Sequence, residues 1–258
     1  MIWEQRPRSV AAGLAVIEAG EGPTVLLLHG VGLKAEAWSP IIDDLSKRYH
    51  VIAPDMPGHG ASLMISDLNS LRDYVEAIAP LLTQKSIVVG HSMGAMIALG
   101  LASRFEDQVS AVAAMNAVFE RDENAKSSVS ARAAMLDGKT VSDPSQTLHR
   151  WFGESQSQEQ EACRRWLLEV DPFGYKSAYG VFASEDGPSR ELLSSLAMPA
   201  LFMTGADEPN STPAMSKAMA ELVPNGKAVV LNGAAHMMPM THSQNVVEAL
   251  ASFLKEAL

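Results

Sequence analysis

Ser86-Ile87-Val88-Val89-Gly90-His91-Ser92-Met93-Gly94-Ala95 drives an apolar, strand-like run into G-x-S-x-G, and Ala95-Met96-Ile97-Ala98-Leu99-Gly100-Leu101-Ala102 continues it with the pattern of a buried helix. A serine at such a strand-to-helix turn takes strained backbone angles. Glycines two before and two after it remove the β-carbons that would collide with strand and helix. The turn lifts the hydroxyl clear of the sheet, and the helix start aims free backbone N–H groups, that of Met93 among them, at the same point. The pentapeptide alone arises easily by chance in a chain with 18 glycines. Its setting between strand and helix makes Ser92 the candidate nucleophile.

A serine hydroxyl is too weak an acid to attack unaided and needs a base. The chain has seven histidines. His50 precedes a strand, His59 sits in the Gly58-His59-Gly60 turn, His149 lies in a polar segment, and His242 opens the last helix. His29 and His91 sit inside glycine motifs, where packing or structural hydrogen bonding accounts for them. His236 follows the apolar strand 228–231 and the small Asn232-Gly233-Ala234-Ala235, and precedes the C-terminal helix. That is a loop at the C-terminal end of a strand, where parallel sheets place their chemistry. The third member of such a site is a carboxylate that holds the imidazole in its useful tautomer. The apolar strand 199–205 runs straight into Ala206-Asp207-Glu208-Pro209, which offers two adjacent acids. The order serine, acid, histidine suits one of the three well-known serine-triad arrangements.

With these residues in place the chain resembles the α/β-hydrolase superfamily along nearly its whole length. Leu26-Leu27-Leu28-His29-Gly30-Val31-Gly32 is similar to the family's HG loop after the third strand, and Pro54-Asp55-Met56-Pro57-Gly58-His59-Gly60-Ala61-Ser62 to its D-x-P-G-x-G-x-S turn after the fourth. Four motifs in the right order are far more specific than any one. The resemblance implies an oxyanion hole built from the backbone N–H groups of Val31 and Met93. It also implies that His29 and Gly30 border the substrate. The sequence departs from the family at the acid: the position usually held by Asp, three residues after the strand-ending glycine, holds Glu208. The aligned position and the longer stem favour Glu208 as the partner of His236, and Asp207 stays open as the alternate.

Composition sets outer limits. A chain of 258 residues with 47% hydrophobic content suffices for one large core. No run approaches the roughly 20 apolar residues of a membrane span. The stretch from Met1 to Arg8 lacks the apolar centre of a signal peptide, and Cys163 is the only cysteine, which fits a reducing compartment. A cytoplasmic location is the expectation. A formal charge of −10 disfavours nucleic acid and anionic membranes as partners. Neither glycine-rich turn has the lysine and spacing of a phosphate loop, and no His/carboxylate spacing suits a metal, so no cofactor and no metal is expected.

The fold class expected is α/β, a mostly parallel central sheet flanked by helices. Two short strands within 10–16 precede strands at 24–28, 50–53, 86–89 and 109–115, with helices at 35–45, 67–82 and 92–104 between them. From 116 to 195 the alternation stops. Helices at 122–136, 142–151, 157–169 and 172–183 read as a cap, so residues 1–115 and 196–258 form the core and 116–195 the insertion. Strands at 200–203 and 228–231 and helices at 213–222 and 243–258 complete the core.

In the family such caps shape the substrate pocket. Trp151 and Phe152 are the leading lining candidates, with Trp166, Phe173, Tyr175 and Tyr179 behind them. Arg150, Arg164 and Arg165 either meet a substrate carboxylate or form a solvated face. Met237, Met238 and Met240 either face the pocket or pack the last loop. The function expected is a serine hydrolase of small carboxylic esters or lactones, similar to enol-lactonases and small carboxylesterases, acting through an acyl-enzyme. A carbon–carbon bond hydrolase or acyltransferase on the same triad, and a ligand receptor without turnover, remain as alternatives. Serine at the elbow argues against the branches that use an Asp nucleophile.

Overall fold

The computed structural model describes residues 3–257. An antiparallel hairpin, β1 (Ser9–Ala11) and β2 (Leu14–Ala19), leads into β3 (Thr24–Leu28), a 3-10 turn at Ala35–Trp38, α1 (Ser39–Leu45) and β4 (His50–Pro54). Next come α2 (Leu71–Ile78), β5 (Ser86–His91), α3 (Met93–Arg104) and β6 (Val109–Met115). Helices alone come after β6: α4 (Glu123–Ala134), α5 (Ser145–Phe152), α6 (Gln158–Glu169), α7 (Pro172–Ser184) and α8 (Arg190–Ser195). The chain then returns through β7 (Ala200–Gly205), α9 (Pro213–Leu222), β8 (Gly226–Leu231), α10 (Met238–Thr241) and α11 (Ser243–Ala257).

All strands join one eight-stranded sheet in the order β1-β2-β4-β3-β5-β6-β7-β8. β2 pairs antiparallel with β1 and β4, and every pairing from β3–β4 onward is parallel. Strands covered on both faces read as continuous apolar runs, and β3 shows why. Leu26 and Leu28 join Tyr74, Ile97 and Leu101 of α2 and α3 on one face, while Val25 and Leu27 join Ile41, Ile42, Val246 and Leu250 of α1 and α11 on the other. Each such side chain, fully buried, contributes roughly 1.5–3 kcal/mol.

Local polar chemistry moves several boundaries. The helix expected over 67–82 begins only at Leu71, because Ser70 and Asp73 close a capping box: Asp73 N–H donates to Ser70 Oγ at 3.2 Å, and Ser70 N–H to Asp73 Oδ2 at 2.8 Å. Its far end tightens into a 3-10 turn at Ala79–Leu81. The helix expected over 142–151 starts after Pro144 instead. α8, which the sequence did not announce, is capped by Ser189. Strands β5 and β7 run to His91 and Gly205, carrying the sheet right up to the loops of interest. Leu258, expected to close the last helix, lies outside the described residues, as do Met1 and Ile2.

The turn after β4 ties the sheet to the N-terminal segment. The buried carboxylate of Asp55 accepts from Ala35 N–H at 2.8 Å, Ala61 N–H at 2.9 Å and Arg8 Nε at 3.0 Å. Burial alone would raise its pKa, but Arg8 and the two amides outweigh burial and hold it below the ordinary carboxylate range. Ser62 closes the motif by accepting from Ala15 N–H at 2.9 Å. Among the described residues no helix is long and apolar enough to cross a membrane.

Candidate active site

Ser92 caps α3 at the C-terminal end of β5 with φ 56° and ψ −120°, a region that costs a residue other than glycine roughly 1–3 kcal/mol. The fold holds it there: Ser92 N–H donates to Met115 O at 2.8 Å, and Ala95 N–H to Ser92 O at 2.9 Å. A β-carbon at Gly94 would overlap the Leu28 carbonyl, and one at Gly90 would overlap the Gly94 carbonyl. The loop of Gly30 and Val31 lies over the same point, since a β-carbon at Gly30 would stand 3.0 Å from Ser92 Cβ. Met93, first residue of α3, has no residue four before it inside the helix to accept its N–H.

His236 follows β8 and precedes α10. Its Nδ1 lies 2.9 Å from Glu208 Oε2, with the carboxylate side chain fully buried and the imidazole side chain 12% exposed. A carboxylate only accepts, so Nδ1 carries the proton and Nε2 is left as the acceptor. Glu208 also accepts through Oε1 from Asn210 N–H at 2.7 Å and Ser211 N–H at 3.2 Å. Burial pushes its pKa up, but the His236 charge and hydrogen bond and the two amides outweigh burial and bring it to about 2. Asp207 is exposed, and its backbone N–H donates to Ala234 O at 2.9 Å. Adjacent loop residues point apart, and only Glu208 reaches the ring.

The other glycine-motif histidines hold backbone. His91 Nε2–H donates to the His236 carbonyl at 2.8 Å, and burial together with the neighbouring His236 lowers its pKa to about 3. His29 Nδ1–H donates to Gly30 O at 2.8 Å while Nε2 accepts from Met56 N–H at 2.9 Å. Burial and then His59 lower His29 to about 3 as well.

Ser92 and His236 line one cavity of about 780 Å³, counted to its open mouth. Gly30, Val31 and Trp151 line it too, the Trp151 ring stacked on His236 at 5.8 Å between centroids. Two residues expected on the substrate side lie outside this lining. His29 has both ring nitrogens committed and borders, with Met93 and His59, a smaller cavity of about 190 Å³ that shares Gly30 and Val31 with the first. Phe152 is not in the lining: neighbours on a helix are about 100° apart, and while Trp151 reaches the cavity, Phe152 packs, as Trp151 also does, against the buried cluster that holds Leu148 and Trp166.

Tyr175 and Tyr179 line the cavity, whereas Trp166 sits edge-on to Trp3 at 6.4 Å and Phe173 is 57% exposed. Arg150 lines it, and Arg164 and Arg165 do not. Met237, Met238 and Met240 are all buried in packing beneath the last loop. The sequence reading missed Arg121, Arg132 and Asn210 in the lining. Arg121 reads as part of a charged turn between Glu120 and Asp122, and Arg132 sits on a helix with almost no apolar face to orient it. Among the described residues no group of three or more His, Cys, Asp or Glu is placed to hold a metal ion.

An elbow serine, a histidine hydrogen-bonded to a buried carboxylate and a parallel sheet between helix layers define a hydrolase of the α/β type. The chain belongs to the alpha/beta hydrolase family, whose model matches residues 25–249. It is 38% identical over 244 residues to the (E)-2-((N-methylformamido)methylene)succinate hydrolase of Acinetobacter baylyi, covering 92% of each chain. It is 32% identical over 258 residues to the pimeloyl-[acyl-carrier protein] methyl ester esterase of Chromobacterium violaceum, covering 94% of this chain and 98% of that one. Among solved structures, a thermophilic esterase from Thermogutta terrifontis superposes with a TM-score of 0.86 at 25% identity, over 98% of this chain and 99% of that chain.

Proposed function

We propose that the protein is a serine hydrolase of a small acyl substrate, an ester or lactone, working through an acyl-enzyme. The observation that carries this reading is the Glu208–His236 hydrogen bond of 2.9 Å beside a strained Ser92 in one cavity. Ser92 Oγ attacks the carbonyl carbon and passes its proton to His236 Nε2, while Glu208 holds Nδ1–H and stabilises the imidazolium. The oxyanion rests on the N–H groups of Val31 and Met93. A missing donor of this kind typically costs roughly 10²- to 10³-fold in rate. His236 then protonates the leaving group, and water activated by the same nitrogen releases the acyl group. The helices between β6 and β7 serve as the cap over this reaction.

Relatives support the bond class in two directions. One is named for a methyl ester and another for a substrate bearing an N-methylformamido group, so hydrolysis of an amide-type C–N bond on the same triad is the second reading. A fluorophosphonate probe tests both. It should label Ser92 and abolish hydrolysis of p-nitrophenyl acetate, and Ser92→Ala should retain less than about a thousandth of the wild-type rate. Labelling at another residue, or a Ser92→Ala protein with a tenth of the activity, overturns the assignment. Parallel assays with short esters, lactones and enamides then rank the bonds cleaved.

A further inference from the structure

Three guanidinium groups, those of Arg121, Arg132 and Arg150, line the cavity that holds Ser92, and among the described residues no Asp or Glu lines it. The chain as a whole carries a formal charge of −10, so this concentration of positive charge runs against its composition. Arg121 is the most committed of the three. It is 6% exposed, its Nη1 donates to the carbonyls of Phe182 and Glu185, and its guanidinium lies 4.5 Å from the Phe182 ring. Among the described residues its buried Nη2 has no hydrogen-bond partner. A buried charged donor left unpaired is costly, and such groups ordinarily find a partner.

No neighbouring acid fills the role. Asp186 is held by Lys126 Nζ at 3.0 Å, and Glu120 is engaged by Arg190 Nε at 2.6 Å. Glu185 meets Arg121 through its backbone carbonyl. The other two arginines are braced by neutral acceptors: Arg132 Nε donates to Tyr179 Oη at 2.9 Å, and Arg150 Nη2 to Thr147 Oγ1 at 2.8 Å. Those bonds orient the guanidiniums without neutralising them. Burial, and then the charge of Arg132, lower the pKa of Arg150.

Resting on the reading of Ser92 as nucleophile, we propose that this arc is a carboxylate subsite and that the substrate is a small acyl compound bearing free carboxylate, with three charges enough to hold a dicarboxylate. Arginine suits the task because its planar fork donates two parallel bonds to a carboxylate, which also fixes the angle at which the scissile carbonyl meets Ser92. Arg121, already clamped by two carbonyls, serves as the rigid anchor, while Arg132 and Arg150 close around the remaining charge.

The test uses Ser92→Ala protein, which keeps the arc, titrated calorimetrically with linear dicarboxylates from malonate to adipate, their diamides, and inorganic phosphate. At least one dicarboxylate should bind at least tenfold more tightly than its diamide and than phosphate. Arg121→Gln added to that background should weaken it roughly 10- to 100-fold, the range expected for losing charge-assisted bonds. Arg132→Gln and Arg150→Gln carry the same test should the Arg121 variant fail to fold. On wild-type protein the same dicarboxylate should inhibit p-nitrophenyl acetate hydrolysis competitively.

Ester hydrolysis with no dicarboxylate binding or inhibition overturns the subsite and leaves the triad standing. Dicarboxylate binding that depends on the arginines, in a wild-type protein that hydrolyses no ester, lactone or enamide, supports the subsite while the triad reading fails. Phosphate binding more tightly than every dicarboxylate overturns the carboxylate assignment.

Discussion

Replacing Glu208 by Gln changes volume hardly at all and removes one charge, and the hydrogen bonds around the carboxylate determine the effect. Oε1 accepts from two backbone N–H groups, those of Asn210 and Ser211, and Oε2 accepts from His236 Nδ1. A glutamine has one acceptor oxygen. If that oxygen stays with the two amides, the NH₂ group faces Nδ1 and drives the imidazole into the tautomer with its proton on Nε2, where it cannot take the proton of Ser92. If the amide flips, Nδ1–H keeps its partner but two backbone donors confront an NH₂ group. In either case the imidazolium loses its counter-charge. In a well-studied triad the corresponding acid-to-amide change cost about 10⁴-fold in kcat.

We therefore expect Glu208→Gln to lower kcat by at least about 10³-fold, some 4 kcal/mol of transition-state stabilisation. Asp207→Asn, at an exposed carboxylate, should change kcat less than about threefold. Steady-state kinetics on a p-nitrophenyl ester, with circular dichroism and Tm to verify folding, read both. Activity of Glu208→Gln within tenfold of wild type, or a larger loss in Asp207→Asn, would refute the reasoning.

Gly94→Ala should be damaging although Ala is the better helix former, because its methyl meets the fixed Leu28 carbonyl rather than a side chain that can swing away. A cost of about 3 kcal/mol, seen as a Tm lower by roughly 6–12 °C, is expected, and an unchanged Tm would contradict the close approach. The Glu208 carboxyl falls from its ordinary 4.5 to about 2 on folding, so its contribution is complete above pH 4.5 and is lost as pH falls toward 2. Denaturant titrations of wild type and Glu208→Gln should show a stability gap, on the order of 3 kcal/mol near pH 6, closing across that window, and a gap independent of pH would sink the assignment. Cys163 is fully buried, with burial raising its thiol pKa well above the ordinary value. The native protein should therefore resist iodoacetamide at pH 8 and react only when unfolded, as mass spectrometry would show.

The legible part of this chain was the part where backbone geometry dictates residue type. Gly90 and Gly94 flank a serine at positive φ because nothing larger fits, and that constraint is written directly in the pentapeptide. Parallel strands buried on both faces left equally plain apolar runs. Glu208 could be preferred over Asp207 from its aligned position, but its orientation is set by the amides of Asn210 and Ser211, which no local pattern announces. The inserted helices were the opaque part. On α5 the choice between Trp151 and Phe152 depends on helix phase, and Ser142 stays outside α5 because the helix opens only after Pro144. Arg121 gained its place through carbonyls 61 and 64 residues along the chain, a separation that periodicity cannot see.

The stacking of Trp151 on His236 has a bearing on how such enzymes can be re-engineered. The indole belongs to the inserted helices, yet it borders the ring that, in the proposed mechanism, becomes cationic when Ser92 gives up its proton, and an aromatic face stabilises a cation held against it. Exchanging the insertion for that of a relative would thus change the aromatic contact at the His236 ring along with pocket shape. Even a substrate too small to touch the transplanted helices should then turn over at a different rate, so specificity and intrinsic reactivity cannot be traded module by module in this protein.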